Sequence, residues 1–179
     1  ASTSEVYAGT LKYFKIKFPT PEDTPLSVGE LQEERTSYML SKIYGEALCL
    51  QSGIPSTIIR PHNIYGPRMG LSHVIPELMQ KIINSNNDEL DVYSTDHKRT
   101  FCFIKDAVEM IKLLAESPKS IGDHFNIGNE NEEITMNDLA LLLMNILKKD
   151  LKIIPKPSTQ GSPTRRIPSM KKLKNILTY

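Results

Sequence analysis

The chain has 179 residues, 39% hydrophobic and 24% charged, a balance that supports one compact core and excludes a disordered polar tail. A formal net charge of +1 gives no general electrostatic case for nucleic acid or a membrane surface, and no stretch reaches the roughly 18 apolar residues of a membrane span. Two cysteines without CxxC spacing, and four histidines with none four residues from another, argue against a disulfide framework or a metal site and predict free thiols in a cytoplasmic setting.

From the amino end, Ala1-Ser2-Thr3-Ser4-Glu5-Val6-Tyr7 reads as the end of a buried strand whose hydroxyls emerge at its carboxyl tip, where open α/β sheets keep their ligands. Residues 8–34 carry Pro19, Pro21 and Pro25 with no sustained period and are expected to form a long loop. Apolar residues return at helical spacing over 35–51, through Tyr38, Ile43, Ala47, Leu48 and Leu50, until Gly53 and Pro55 stop the helix. Ser56-Thr57-Ile58-Ile59 is a short buried strand, and residues 60–68 form a loop at its end. A helix is expected over 73–84, with Pro76 in its first turn.

Residues 90–93 and 100–104 alternate as half-buried strands, and Asp106 is placed to cap an amphipathic helix through Val108, Ile111, Leu114 and Ala115, with Pro118 beyond its end. A strand over 124–127 and a turn at Gly128-Asn129 lead to Thr135-x-x-Asp138, a capping box for a helix reaching about residue 149. A strand over 152–154 follows, and Ser169 caps a terminal basic helix. The order is that of an α/β protein, with the smaller elements after Gly70 set apart as a lobe.

Within the 35–51 helix, Tyr38-Met39-Leu40-Ser41-Lys42 places a phenol and an ammonium on one face. The ammonium favours the ionised phenol, and a bound cation would favour it further, which makes an acid/base pair for work near neutral pH. The same spacing also describes an interfacial tyrosine beside a solvated lysine, so the surroundings must decide.

Those surroundings carry a resemblance. Ser2-Thr3-Ser4-Glu5-Val6-Tyr7, Tyr38-x-x-x-Lys42, Arg60-Pro61-x-Asn63-x-Tyr65-Gly66-Pro67-Arg68, Arg99-x-Phe101-x-Phe103-Ile104-x-Asp106, Phe125-Asn126-Ile127-Gly128-Asn129 and Arg165-Arg166-x-Pro168 occur in order. Together they resemble the extended short-chain dehydrogenase/reductase family of NAD-dependent nucleotide-sugar epimerases, dehydratases and decarboxylases. The resemblance implies the carboxyl half of a Rossmann-like, doubly wound NAD-binding domain over residues 1–70, and a small α+β substrate-binding lobe over 71–179 with some segments returning to the sheet. It implies Thr3, Glu5, Tyr38 and Lys42 as catalytic residues, Tyr38 taking the sugar C4 proton while hydride passes to NAD. Tyr38, Lys42 and Pro61 would face the cofactor. Asn63, Arg99 and Arg166 would hold the nucleotide-diphosphate sugar, the arginines clamping its diphosphate, and His73, Val74 and Val92 would pack its base. The Tyr/Lys helix is also where such proteins form homodimers.

Glu5 bears on reaction type. Oxidation at C4 acidifies the C5 proton, which a carboxylate can take; if C5 carries a carboxyl group, the resulting β-keto acid loses carbon dioxide instead. Thr3-Ser4-Glu5 resembles the triplet of UDP-glucuronate decarboxylases and GDP-mannose dehydratases, while simple 4-epimerases more often have small residues in place of Glu. Three departures stand beside the resemblance: no GxGxxG or GxxGxxG turn occurs, Ala8 replaces a usual Gly, and the chain stops at Tyr179 before a customary Leu-Gly-aromatic signature. The chain is therefore expected to be the catalytic and substrate-binding part of a longer protein, inactive in isolation. The second reading is a sugar-nucleotide-binding module that does no oxidation.

Overall fold

In the computed structural model, which describes residues 1–158 and 161–177, the strands are β1 (Thr57–Pro61), β2 (Ile64–Tyr65), β3 (Glu89–Tyr93), β4 (Lys98–Arg99), β5 (Cys102–Phe103), β6 (Asp123–Ile127), β7 (Ile134–Thr135), β8 (Lys152–Lys156) and β9 (Arg165–Arg166). The helices are α1 (Ala8–Tyr13), α2 (Thr36–Gln51), α3 (Val74–Asn84), α4 (Ile104–Glu116), α5 (Met136–Leu147) and α6 (Lys171–Leu177), with 3-10 turns at Ser4–Tyr7 and Pro118–Ser120. Parallel pairing dominates: β1 with β6, β2 with β5, β3 with β8, and β4 with β9, while β7 lies antiparallel to β4. Parallel neighbours need crossovers, and helices supply them, giving a mixed α/β fold.

Two apolar cores divide the packing. In one, Leu90 and Val92 point inward from β3 while Glu89, Asp91 and Tyr93 stay out, and Leu78 and Ile82 of α3 meet Leu139, Ala140 and Leu143 of α5. The other joins Phe125 and Ile127 of β6 to Ala107 and Leu114 of α4 and to Met170 and Leu173 around α6. The second core draws on segments far beyond residue 70, because β6, α4 and α6 return to the β1 side.

Local chemistry explains most boundaries. Ser52 and Gly53 end α2, the glycine at φ +72° where a side chain is disfavoured. Thr135 Oγ1 accepts from Asp138 N at 3.0 Å to open α5, and Lys148 at φ 53° closes it. Ser169 Oγ accepts from Lys171 N at the start of α6. Pro76 sits in the first turn of α3.

Three expectations are corrected. Residues 4–7 form a 3-10 turn and 8–13 a helix, where a strand end and a loop were expected; only Ser2 keeps a strand-like bond, its N donating to Ile59 O at 2.7 Å. The strand expected over 100–104 shrinks to β5: Thr100 and Phe101 lie outside any strand, Ile104 already opens α4, and Thr100 O accepts from Asn63 Nδ2 at 2.9 Å. Asp106 lies inside the first turn of α4 rather than capping it; Phe103 is the N-cap, without a side-chain bond.

Between β1 and α2 lies a buried polar network. Arg60 donates from Nε and Nη2 to the two oxygens of Glu46 at 2.9 and 2.5 Å, and from Nη1 to Tyr7 Oη at 2.6 Å and Glu22 O at 3.1 Å. Tyr7 Oη donates in turn to Asn126 Oδ1 at 3.0 Å, and Asn126 N donates to Glu22 Oε1 at 3.0 Å. Burial pushes the Tyr7 phenol up to about 12. Burial alone would raise the Glu46 carboxyl, but Arg60 and Ser2 outweigh it and hold the group below its usual range.

Glu46→Gln leaves Arg60 as a buried cation without its counter-charge, and urea unfolding at neutral pH is expected to show a loss of about 3–5 kcal/mol. Because the Glu46 pKa is lower folded than unfolded, its stabilisation is present above the unfolded value and disappears as pH falls through the folded one. Wild type and variant therefore converge in acid; a constant gap from neutral pH down would refute this.

Candidate active site

Helical spacing on α2 sets Lys42 Nζ 5.8 Å from the centre of the Tyr38 ring. Tyr38 is 47% exposed, and Lys42 Nζ donates to Ala1 O at 3.2 Å. That bond, with the packing of α2 on the Ser4–Tyr7 turn, brings the Tyr/Lys face to the segment carrying Thr3 and Glu5. Thr3 is the N-cap of that turn, its Oγ1 accepting from Glu5 N at 3.3 Å and keeping its own proton free to donate.

Glu5 is the meeting point of three guanidinium groups. Arg166 Nη1 donates to Glu5 Oε1 at 2.7 Å and to Ser4 Oγ at 3.3 Å, and Arg35 Nη1 reaches Glu5 Oε1 at 3.4 Å. Burial would raise the Glu5 carboxyl, but Arg166 first, then Arg35 and Arg99, hold it below the usual carboxylate range. Burial and the neighbouring charge of Arg166 push Arg99 down to about 10. Arg99 is fixed by bonds from its Nη atoms to Lys98 O at 2.7 Å, Ser162 Oγ at 2.9 Å and Pro163 O at 2.6 Å.

Five of the predicted substrate residues line one cavity of about 610 Å³: Asn63, His73, Val74, Val92 and Arg99. Arg166 does not line that cavity; it bonds Glu5, which lines a neighbouring one. Asn63 turns at φ 43° and is pinned by its Nδ2 donating to Thr100 O at 2.9 Å. Pro61 ends β1 opposite Ile127, away from that cavity wall. A neighbouring cavity of about 420 Å³ holds Glu5, Ala8 and Met39, and Arg35 borders both. A third, of about 470 Å³ between α4 and α6, contains none of the predicted residues. Among the described residues no group of three or more His, Cys, Asp or Glu could hold a metal ion, and no helix is long and apolar enough to cross a membrane.

Two cavity residues lay outside the sequence expectation. Arg35 stands three residues before Tyr38, a helical spacing that already put it at the same end of α2. His97 is buried beside Arg99 with Nδ1 unpartnered, and no local pattern marks it.

Comparison with known proteins places this geometry. Residues 1–128 match the family model described as the NAD dependent epimerase/dehydratase family. A UDP-D-apiose/UDP-D-xylose synthase of Arabidopsis thaliana is 32% identical over 176 residues, covering 83% of this chain and 45% of its own length. A UDP-N-acetyl-alpha-D-glucosaminuronate decarboxylase of Bacillus cytotoxicus is 34% identical over 193 residues, covering 100% of this chain and 57% of its own length. Among solved structures, the UDP-glucose 4-epimerase of Thermotoga maritima with UDP-glucose superposes with a TM-score of 0.80 at 25% identity, over 99% of this chain and 56% of that one. The chain belongs to the NAD-dependent epimerase/dehydratase family, and it spans about half the length of the curated relatives it matches.

Arg166→Met removes the cation that does most to hold Glu5 ionised, leaving burial opposed mainly by Arg35. The Glu5 carboxyl is expected to titrate at higher pH in the variant, read by carbon-13 NMR of labelled glutamate; an unmoved titration would show that Arg166 is not its counter-ion.

Proposed function

We propose that the whole protein is an NAD-dependent enzyme that oxidises the C4 hydroxyl of a nucleotide-diphosphate sugar. The observation that carries this reading is the junction of α2 with the Thr3–Glu5 segment, closed by the Lys42–Ala1 bond, with Glu5 on one cavity and Arg35 bordering both that cavity and the neighbouring one that holds Arg99. The residues fit the cofactor in part: Lys42 and the exposed Tyr38 face are placed to hold a nicotinamide ribose, and Pro61 to lie against the ring, whereas no glycine-rich pyrophosphate cradle occurs in these residues. When bound, NAD supplies the hydride acceptor. Tyr38 takes the hydroxyl proton, Lys42 stabilises the phenolate, and Thr3 donates to the same sugar oxygen. Asn63, Arg99 and Arg166 bind the diphosphate and adjoining sugar; His73, Val74 and Val92 pack the base.

After oxidation, the chemistry at C5 that suits this site is decarboxylation of a uronic acid. A general base works best with a pKa near the operating pH, and Glu5 is moved the other way by Arg166. Loss of carbon dioxide from a β-keto acid needs no base at C5, and a decarboxylase is among the relatives. Such a product serves as an activated sugar for polysaccharide synthesis in the cytoplasm. A second copy of the chain is expected on α2, where Tyr44 and Leu48 lie exposed one helical turn apart.

Incubating the intact protein with NAD and a panel of UDP-, GDP- and dTDP-sugars, with products followed by mass, tests the reading. Loss of carbon dioxide from a uronate is the expected result. Loss of water or an isomer of unchanged mass would retain the enzyme and overturn the C5 assignment, and binding without turnover would favour a binding module. Tyr38→Phe is expected to lower kcat by about 10²–10⁴-fold with substrate affinity kept; an unchanged kcat would remove Tyr38 as the base.

A further inference from the structure

The hydrogen bonds of the buried Asn126 side chain fix the protonation of His62. Asn126 donates from Nδ2 to Thr20 O at 3.1 Å and Ser169 O at 3.3 Å, so its Oδ1 is the atom facing Tyr7 and His62. That oxygen only accepts, and it lies 3.1 Å from His62 Nε2; His62 must therefore carry its proton on Nε2 and a bare lone pair on Nδ1. The ring is fully buried, packs 5.8 Å from the Tyr7 ring, and has no partner for Nδ1. Protonating Nδ1 is opposed by burial and then by Arg166 and Arg60, which together push His62 down to about 3.

A complementary orphan lies close by. Arg166 Nε is buried without a partner, although its Nη1 is engaged by Glu5 and Ser4. The stretch following Arg166 runs over His62: Ile167 O accepts from Thr20 N, and a Cβ on Gly128 would meet Pro168 Cγ at 2.8 Å and His62 Cβ at 3.1 Å. Thr20, whose backbone bonds Ile167 and Asn126, carries a third buried polar atom without a partner, its Oγ1. One donor, one acceptor and one hydroxyl are the partners an internal water takes, and such waters are ordinary constituents of proteins of this size.

We propose that His62 is a positioning residue for Arg166, its Nδ1 lone pair receiving the Arg166 Nε–H through one internal water and so turning the Nη edge of the guanidinium toward Glu5 and the substrate. The kinetic consequence rests on the reading of Arg166 as a substrate clamp; the hydrogen bond itself does not. It links the buried network around Arg60 to the site, since Tyr7 and Asn126 set the tautomer that makes His62 an acceptor.

Nitrogen-15 NMR of histidine-labelled intact protein tests the bond. Expected is an unprotonated Nδ1 whose signal is displaced by an accepted hydrogen bond, and which moves toward that of a free lone pair in Arg166→Lys. Protonated Nδ1, or a signal indifferent to Arg166→Lys, would overturn the proposal. In a double-mutant cycle with UDP-glucuronic acid as probe, His62→Phe is expected to weaken binding about fivefold in the wild-type background and by less than about twofold beside Arg166→Lys. Equal weakening in both backgrounds would show that His62 does not act through Arg166. Failure of the wild type to bind the probe counts against the substrate reading, and the NMR comparison then decides this one.

Discussion

The Arg60–Glu46 ion pair is the constraint on which the rest of the structure depends. Two charges removed from water must be matched by geometry, and here every polar atom of the Arg60 guanidinium has a partner: Glu46 takes two N–H groups, Tyr7 and Glu22 share the rest. Because Arg60 is on β1 and Glu46 on α2, satisfying the pair sets the rotation and height of α2 against the sheet. Tyr38 lies eight residues before Glu46, about 12 Å along the axis at 1.5 Å per residue, so fixing one places the other. Such a pair contributes little net stability over an apolar replacement; what it supplies is a single allowed arrangement.

The site then gathers positive charge around the Glu5 carboxylate. Arg35, Arg99 and Arg166 converge on Glu5, and the depression of Arg99 to about 10 records the cost of holding guanidinium groups together away from water. The diphosphate proposed as ligand would relieve that cost. Val92, Val74 and Phe101 on the cavity wall exclude water and strengthen each remaining charge interaction.

Legibility in the sequence followed the range of the interaction. Spacing at three and four residues exposed α2 and its Tyr/Lys face and the Thr135 cap, and a period of two exposed the alternation of β3, all of which the structure contains. What was missed is long-range or short in length. Asn126 meets Glu22 across 104 residues and Arg60 meets Glu46 across 14, pairings no local period encodes. Ala8–Tyr13 is a six-residue helix containing a glycine, too short for periodicity to register, and it is held by Thr10 Oγ1 donating to Pro25 O rather than by propensity. At Thr100, outside the strand expected there, the carbonyl accepts from Asn63, 37 residues away, a partner no local period encodes either.

On the proposed reading, the same arginine cannot serve the carboxylate and a diphosphate in full at once. Arg166 offers one Nη edge, and in this structure Nη1 of that edge is spent on Glu5 and Ser4. When a diphosphate competes for it, Glu5 loses its strongest counter-charge and its proton affinity rises, with Arg35 left as the nearer cation. On the proposed reading, the charge of Glu5 is thus tied to how Arg166 is engaged. Arg35, whose side chain is 74% exposed and whose contact is long at 3.4 Å, limits that rise less than a buried arginine would, because water screens its charge.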